Sequence, residues 1–234
     1  MKIDSKKYKR RFVIADVHAC LKTLRNLIEN KIELTKDDAL FLLGDYIDRG
    51  PNSSGTLDYL MQIQQEYNVF ALRGNHEHDL LKSVERWDIA TLFMFHKRNY
   101  KSHDLLDSKT GLKPQYKAYM ETLPFYFELE DFILTHAGFE LLPNGEPNLK
   151  VNLYSRHCVN NPEFTGGKTI IHGHDYINLI DIQKAVNRKA DCIPLDNGCV
   201  YSVPNGNYDS SQLGNLLALN LDTYELIIQP NIDG

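Results

Sequence analysis

The chain has 234 residues, of which 42% are hydrophobic and 24% charged, enough apolar material for one large domain or two small ones. Its formal net charge is −5 and its basic residues form no long block, which argues against a nucleic-acid-binding surface. Residues 1–11 are polar and basic without the apolar run of a secretory signal, and no apolar stretch reaches the length of a membrane span. These features predict a cytoplasmic protein with no nucleic-acid partner and no membrane partner.

The first third of the chain predicts two βαβ units. Apolar runs at 11–15, 39–43 and 69–72 are typical of short buried strands. Between them, apolar residues recur at helical spacing in 21–29 and 53–63, which predicts two amphipathic helices. A βαβ unit favours parallel strands with a right-handed crossover, so three parallel strands are expected here.

The rest of the chain divides into a helical part and a β-rich part. Residues 78–122 predict helices around a loop at 108–111, and their histidines (His78, His96 and His103) are expected to be exposed or locally hydrogen-bonded. Further strands are predicted at 125–129, 132–135, 169–172, 190–194, 216–221 and 225–228, with turns at 143–147 and 204–207. One α/β domain over residues 1–234, with two sheets, is the simplest account.

The four cysteines show no zinc-binding pattern. Cys20, Cys158, Cys192 and Cys199 are widely spaced and form no CxxC pair, which favours free thiols in a reducing cytoplasm. A bridge between Cys192 and Cys199 is the alternative that the spacing leaves open.

Clusters of polar residues follow five of the predicted strands. The carboxyl ends of strands are where α/β sheets place their chemistry. The clusters are Asp16-Val17-His18, Gly44-Asp45-Tyr46-Ile47-Asp48-Arg49-Gly50, Gly74-Asn75-His76-Glu77, His136-Ala137-Gly138 and His172-Gly173-His174-Asp175. Taken alone, the cluster at 44–50 is also compatible with a structural salt-bridge turn. Its occurrence beside four similar clusters favours a functional site.

Six side chains from these clusters form a ligand set without sulfur. They are Asp16, His18, Asp45, Asn75, His136 and His174. Oxygen and nitrogen donors suit Mn, Fe or Zn. Six ligands exceed the needs of one catalytic ion, so two divalent ions that share a carboxylate fit better. Such a pair lowers the pKa of a bridging water and clamps the oxygens of a phosphoryl displacement.

The remaining polar groups match other steps of phosphate-ester hydrolysis. Arg49 can fork onto two phosphoryl oxygens, and Arg156 is a candidate second phosphate-binding residue. His76 can protonate the leaving oxygen as general acid while Asp48 orients it and keeps it cationic. Glu77 is expected to hold the loop at 75–76 by hydrogen bonding.

Two neighbouring histidines require a choice. His174 follows Gly173 in a loop and is assigned as the ligand. His172 still belongs to the apolar strand, so it is assigned either to packing or to supporting the ligand residues from behind.

In this order, the motifs DxH, GDxxDRG, GNHE, HAG and GH resemble those of the metallophosphoesterases of the phosphoprotein (serine/threonine) phosphatase family, which includes the symmetrical diadenosine tetraphosphate hydrolases. The resemblance extends over about residues 11–228 and implies a calcineurin-like sandwich of two facing β-sheets flanked by helices. It also implies a dinuclear metal site at the strand ends, with Asp45 as the bridge. It assigns Asp16 and His18 to one ion, and Asn75, His136 and His174 to the other.

The resemblance supports the roles of His76 and Asp48 as an acid pair and of Arg49 as a phosphate ligand, and it supports Arg156 less directly. The sequence departs from the usual motifs at several positions, which are Ala15, Ala19, Asp175 and Asn197. None of these changes removes a matched ligand. Asp175 places an additional acid beside His174.

The sequence leaves three functions open. The first is a Mn-dependent phosphomonoesterase acting on phosphoserine and phosphothreonine in proteins and on small phosphate esters. It is preferred because His18 stands where the tetraphosphate hydrolases often carry glutamine. The second is a symmetrical diadenosine tetraphosphate hydrolase. The third, a non-catalytic binding module, is disfavoured because every matched ligand is present. The oligomeric state is left open.

Overall fold

The computed structural model describes residues 1–201 and 210–234, so the turn predicted at 204–207 lies outside the described residues. The strands are β1 (Arg11–Ile14), β2 (Ala39–Leu42), β3 (Asn68–Ala71), β4 (Leu106–Asp107), β5 (Gly111–Leu112), β6 (Tyr126–Glu128), β7 (Phe132–Thr135), β8 (Thr169–His172), β9 (Cys192–Pro194), β10 (Asn215–Asn220) and β11 (Leu226–Pro230). The α-helices are α1 (Leu21–Asn26), α2 (Ser53–Glu66), α3 (Asn75–Arg86), α4 (Ile89–Phe95), α5 (Pro114–Thr122), α6 (Leu149–Tyr154), α7 (Pro162–Thr165) and α8 (Leu179–Asn187).

The strands form two main sheets. The first has the order β11-β10-β1-β2-β3, in which β1, β2 and β3 are parallel and β10 and β11 are antiparallel additions. The second has the order β6-β7-β8-β9, in which β7, β8 and β9 are parallel. Both predicted βαβ units are therefore confirmed. The short hairpin β4–β5 stands apart from the two sheets.

Alternation along the strands explains why the two sheets face each other. In β1, Phe12 and Ile14 pack into a core shared with the helices, whereas Val13 points into a second core. This second core joins the sheets, because Phe41 of β2 and Phe127 of β6 meet in it with ring centroids 5.8 Å apart. Strands that are buried on both faces require continuous apolar runs, and the sequence has them.

Five of the six parallel strands bring their carboxyl ends to the polar clusters. Asp16 and His18 follow β1, Asp45 follows β2, and Asn75 follows β3. In the second sheet His136 follows β7, and His174 follows β8. The candidate site thus lies where three strand ends of the first sheet meet two of the second.

Three local features differ from the sequence-based expectations. Helix α3 begins at Asn75, so the cluster at 74–77 is a helix start rather than a loop. Helix α1 continues into a π-helical turn to Ile32, beyond the predicted end at 29. The region 78–122 is helical as predicted but also contains the hairpin β4–β5, whose turn at 108–110 follows the loop signal. Two-residue strands are too short to leave an alternating pattern.

The prediction of free thiols is confirmed. The cysteines are free thiols, namely Cys20, Cys158, Cys192 and Cys199. Within the described ranges, no helix is both long and apolar enough to cross a membrane.

Glu77 connects the ends of β2 and β3. Its Oε2 accepts hydrogen bonds from the backbone N–H groups of Asp45 and Gly74, both at 3.0 Å. Its Oε1 accepts from the N–H groups of Tyr46 at 2.8 Å and Ile47 at 3.3 Å. Because Glu77 is the third residue of α3, its bond to Gly74 also caps the helix start. The predicted structural role of Glu77 is confirmed, and it extends to the neighbouring loop.

Replacement of Glu77 by glutamine tests this connection. Glutamine keeps one acceptor oxygen but turns an NH₂ group towards two backbone N–H donors, which leaves buried donors unsatisfied. We expect Glu77→Gln to lower the free energy of unfolding by about 2–3 kcal/mol, as measured by urea denaturation. The matched control is Glu85→Gln, which changes an exposed glutamate on the same helix. Equal stability of the two variants would contradict the role assigned to Glu77.

Candidate metal centre

Asp45 lies at the centre of the candidate site. It is buried, and its Oδ2 lies 3.7 Å from His18 Nε2 while its Oδ1 lies 3.5 Å from His136 Nε2. Two groups of possible ligand atoms converge here, each within 4.8 Å: one from His18, Asp45 and His76, the other from Asp45, His136 and His174. Asp45 is common to both groups, which is the position of a carboxylate that bridges two ions.

Backbone carbonyl groups set the tautomers of two histidines. His18 Nδ1 lies 3.1 Å from the carbonyl oxygen of Ile47, and His136 Nδ1 lies 3.0 Å from that of Leu43. A carbonyl oxygen can only accept, so both Nδ1 atoms carry the hydrogen. The Nε2 lone pairs of His18 and His136 therefore face Asp45. Such carbonyl partners are typical of metal-binding histidines.

Asn75 and His174 complete the second group. Asn75 Oδ1 lies 2.9 Å from His136 Nε2 and 3.0 Å from His174 Nδ1. One amide oxygen and two ring nitrogens thus converge beside the Asp45 carboxylate. This donor set matches the oxygen and nitrogen preference of Mn, Fe and Zn.

Asp16 is brought to the site edge rather than into either three-residue group. Both of its carboxylate oxygens accept a hydrogen bond from the backbone N–H of His174, at 3.1 Å. Close approach requires glycine at two places. A Cβ on Gly173 would lie 2.0 Å from Asp16 Oδ1, and one on Gly74 would lie 2.1 Å from Asp45 Oδ1. The glycines of the GH and GN pairs therefore make room for the carboxylates.

His76 and Asp48 form a short hydrogen bond. His76 Nδ1 lies 2.5 Å from Asp48 Oδ2, and both residues are buried. Burial disfavours the imidazolium, but the nearby Asp45 carboxylate and the bond to Asp48 outweigh it and raise the pKa of His76. The backbone N–H of Asp48 donates to Ser53 Oγ at 3.0 Å, which holds the carboxylate in place. The pair has the geometry of an oriented acid.

The two candidate phosphate-binding arginines lie in different surroundings. Arg49 Nη1 lies 2.7 Å from His18 Nε2, and its guanidinium stacks over Tyr201 at 5.6 Å. Arg49 is therefore at the centre of the site. Arg156 is at the rim, where its Nη1 donates to Asp175 Oδ1 at 2.8 Å and its side chain is 67% exposed. The additional acid at 175 is thus the partner of this arginine.

The electrostatics of the site favour neutral imidazole rings and an ionised Asp45 carboxylate. Burial lowers the pKa values of His18 and His136, and burial together with His136 lowers that of His174 to about 4. Burial also disfavours ionisation of Asp45, but His136, His76 and His18 outweigh this and hold its pKa below the usual range. Neutral imidazole and carboxylate are the forms that bind metal ions.

Unlike Asp45, Asp16 has a raised pKa. Burial and the nearby carboxylates of Asp196 and Asp45 hold it well above the usual value. Asp196 is itself buried, and burial raises its pKa to about 7. Mutually repelling buried carboxylates are stabilised by a nearby cation. The residues present therefore fit a site for divalent ions.

No site role was predicted from the sequence for Asp196 or His96. Asp196 follows β9, so its signal was the same strand-end position that revealed the other clusters. His96 was expected to be exposed or locally hydrogen-bonded. The structure confirms a local bond between His96 Nδ1 and Ser102 Oγ at 2.9 Å, but the ring is buried, with its Nδ1 4.0 Å from Asp48 Oδ1. No sequence signal indicated this placement. His172 is buried, and its Nδ1 lies 3.0 Å from the carbonyl oxygen of Gly173.

Comparison with known proteins agrees with this geometry. The chain is 22% identical over 259 aligned positions to the asymmetrical bis(5′-nucleosyl)-tetraphosphatase PrpE of Anoxybacillus flavithermus, covering 94% of this chain and 93% of that protein. It is 36% identical over 76 residues to serine/threonine-protein phosphatase 1 of Salmonella typhimurium, which covers 32% of this chain and 33% of the relative. A solved structure provisionally described as a diadenosine tetraphosphatase superimposes with a TM-score of 0.68 at 19% identity, over 100% of this chain and 98% of that one.

The last comparison supports the fold that the two facing sheets already display. The family model for the calcineurin-like phosphoesterases matches residues 9–193, which contain β1 to β8, most of β9 and the five polar clusters identified in the sequence. The chain therefore belongs to the calcineurin-like phosphoesterase family.

Proposed function

We propose that this metallophosphoesterase binds two divalent ions that share Asp45. Asp16 and His18 complete one site, and Asn75, His136 and His174 complete the other. The observation that carries this proposal is the membership of Asp45 in both groups of converging ligand atoms. When bound, two such ions supply a hydroxide at neutral pH and neutralise phosphoryl charge. The same proposal treats residues 1–234 as one catalytic domain, with the helical region 78–122 beside the site.

The other buried groups have roles that their contacts support. His76 donates a proton to the leaving oxygen through Nε2, because Asp48 occupies its Nδ1 side at 2.5 Å. Arg49 binds the phosphoryl oxygens and exchanges its contact with His18 for the substrate. Arg156 contributes a second positive charge at the rim, held there by Asp175. Manganese is the proposed metal, with iron and zinc as alternatives.

Dinucleoside polyphosphates are the substrate class that we place first. The supporting observation is the extent of the likeness to the asymmetrical tetraphosphatase, which covers 94% of this chain and thus the elements around the site as well as the motifs. The same site geometry serves an anhydride as well as an ester, because Arg49 and the ion pair act on the phosphoryl group that both substrates share.

Phosphoserine and phosphothreonine in proteins are the second candidate. They were preferred on sequence grounds because of the histidine in the first motif. The Nε2 atom of His18 faces Asp45 at 3.7 Å, which supports a ligand role for this histidine. The local likeness to a serine/threonine-protein phosphatase over about a third of the chain also favours this class.

Asp45→Asn tests the shared ligand. The amide removes the negative charge that two cations need, so we expect loss of bound metal and a fall in turnover of at least about 10³-fold, as for loss of the metal pair. Metal content per chain is measured by elemental analysis after dialysis against manganese. The control is Asp181→Asn, an exposed aspartate on α8. Retention of both ions at wild-type affinity by Asp45→Asn would refute the assignment.

His76→Asn separates the acid from the metal ligands. We expect kcat to fall by about 10²- to 10⁴-fold while metal content stays at the wild-type level, because His76 serves here as a proton donor. His78→Asn, two residues along the same helix, is the matched control. If His76→Asn loses metal in parallel with activity, His76 is a ligand and the proposed acid is wrong.

A substrate panel tests the order of the two classes. The protein is reconstituted separately with manganese, iron and zinc, and kcat/KM is measured for diadenosine tetraphosphate and for a phosphoserine peptide. We expect the highest value with manganese and the dinucleotide. A higher value for the phosphopeptide would reverse the order, and no hydrolysis of either substrate with any metal would refute the proposed function.

A further inference from the structure

A cavity of about 240 Å³ opens beside the Asp48–His76 pair. Asp48, Asn75 and His76 line its inner end, and the first turns of α3 and the segment from α4 to Tyr100 form its walls. The cavity thus adjoins the acid rather than the far side of Asp45. Since His76 protonates the leaving oxygen in the proposed function, the group that departs from phosphorus enters this cavity. The inference below rests on that function.

One face of α3 runs along the cavity away from the acid. His76, Asp79, Ser83 and Arg86 recur at intervals of three and four residues and line the same space. Ten residues separate His76 from Arg86, which at 1.5 Å per residue is about 15 Å. A leaving group that reaches from the acid to Arg86 is therefore an extended one. A nucleotide has this extended form, whereas an alcohol of two or three carbons does not.

Aromatic rings form the outer wall. Trp87 and Phe95 pack edge to face with centroids 4.6 Å apart, and Phe95 and Tyr100 lie 5.4 Å apart. All three are half-buried and line the cavity, so part of each ring is open to it. Tyr100 continues the wall to His76, at 5.5 Å between centroids. Aromatic walls of this kind bind flat bases by stacking, independently of sequence.

Within the described part of the chain, the guanidinium of Arg86 and the Nε2 atom of His96 lack partners along this cavity. The exposed guanidinium of Arg86 makes no ion pair or hydrogen bond there, in contrast to neighbouring Lys82, which pairs with Glu85 at 3.3 Å. His96 Nε2 is buried without a hydrogen-bond partner, although the residue is only 2% exposed. Buried polar atoms are normally satisfied, so a ligand atom is the expected partner of His96.

We propose that this cavity is a leaving-group pocket for a nucleoside phosphate. The phosphate of the departing nucleotide lies at His76, and its base stacks against Trp87, Phe95 and Tyr100. Arg86 contacts the polar edge of the base, and His96, whose Nδ1 lies 4.0 Å from Asp48 Oδ1, contacts the phosphate end of the nucleotide. In the reaction, the water oxygen forms a bond to phosphorus and its proton passes to solvent, while the bridging P–O bond breaks. The electron pair of that bond goes to the nucleotide oxygen, which takes the proton from His76.

Trp87 is the single tryptophan of the chain, so its fluorescence can report on binding to this pocket. The test is a titration of the manganese-loaded protein with AMP, ADP and ATP, followed by tryptophan fluorescence. We expect saturable quenching by at least one of the three nucleotides. Ribose 5-phosphate, which lacks the base, is expected to leave the fluorescence unchanged. The readout is binding, so it does not depend on whether the protein hydrolyses any substrate.

Two surface variants make the test specific. Arg86→Ala is expected to raise the Kd for the nucleotide about tenfold, which corresponds to about 1.4 kcal/mol. Arg98→Ala removes an exposed arginine that lines a different surface depression, beside Met94, and is expected to leave the Kd unchanged.

Three outcomes overturn the inference while leaving the proposed hydrolysis intact. These are the absence of saturable quenching by every nucleotide, equal weakening by the Arg86 and Arg98 variants, and quenching by a phosphoserine peptide but not by nucleotides. The last outcome would assign the pocket to a peptide. Conversely, a protein that binds nucleotide with the expected Arg86 dependence but hydrolyses nothing would refute the proposed function alone.

Discussion

The carboxylate of Glu77 organises the centre of the molecule. Four backbone N–H groups converge on its two oxygens, from Gly74 on one strand end and from Asp45, Tyr46 and Ile47 on the next. These contacts replace the water that a buried carboxylate loses, although burial still raises the pKa of Glu77 to about 7. The motifs GDxxDRG and GNHE are therefore one hydrogen-bonded unit, and Asp45 and Asn75 hold their positions relative to each other through it.

Around this unit, backbone groups rather than side chains orient the donors. Carbonyl oxygens of Ile47 and Leu43 hold His18 and His136, and the backbone N–H of His174 holds Asp16. Leu43 directly follows β2, and the backbone of Ile47 is held by its N–H bond to Glu77, so fixed backbone orients both imidazole rings. This preorganisation reduces the rearrangement that ion binding requires. Asp48 and Arg49 add strained backbone at φ values of 70° and 69°, which the surrounding bonds maintain.

Much of this arrangement could be predicted from the sequence, and the reasons are specific. The strands β1, β2 and β3 are short apolar runs that end in polar residues, so both their parallel pairing and the side chains at their ends followed from pattern. His76 was assigned its partner Asp48 by chemistry, and the structure brings the two together. The start of α3 at Asn75 was missed because the polar residues 75–79 carry no helical apolar period. The burial of His96 was missed because it depends on a π-helical turn at 96–100, which no local pattern marks.

The rim of the site was harder to predict because its contacts are long-range. Asp175 was recognised as unusual, but its bond to Arg156 joins segments 19 residues apart. Asp196 lies at the end of a three-residue strand, too short for a clear period. Tyr154 reaches Asp79 through a 2.6 Å hydrogen bond across 75 residues, which connects α6 to the mouth of the leaving-group pocket. Pairings of this kind depend on how the sheets face each other rather than on any one segment.

Because the converging side chains are divided between the two sheets, the site can lose its geometry without unfolding of either sheet. His18, Asp45 and Asn75 belong to one layer, and His136 and His174 belong to the other, so the aromatic contact of Phe41 with Phe127 holds the halves in register from a distance. A small slip of one layer over the other would pull the donors apart before either layer lost its own hydrogen bonds. Inactivation on heating should therefore precede melting of secondary structure, and bound ions should hold the two layers together.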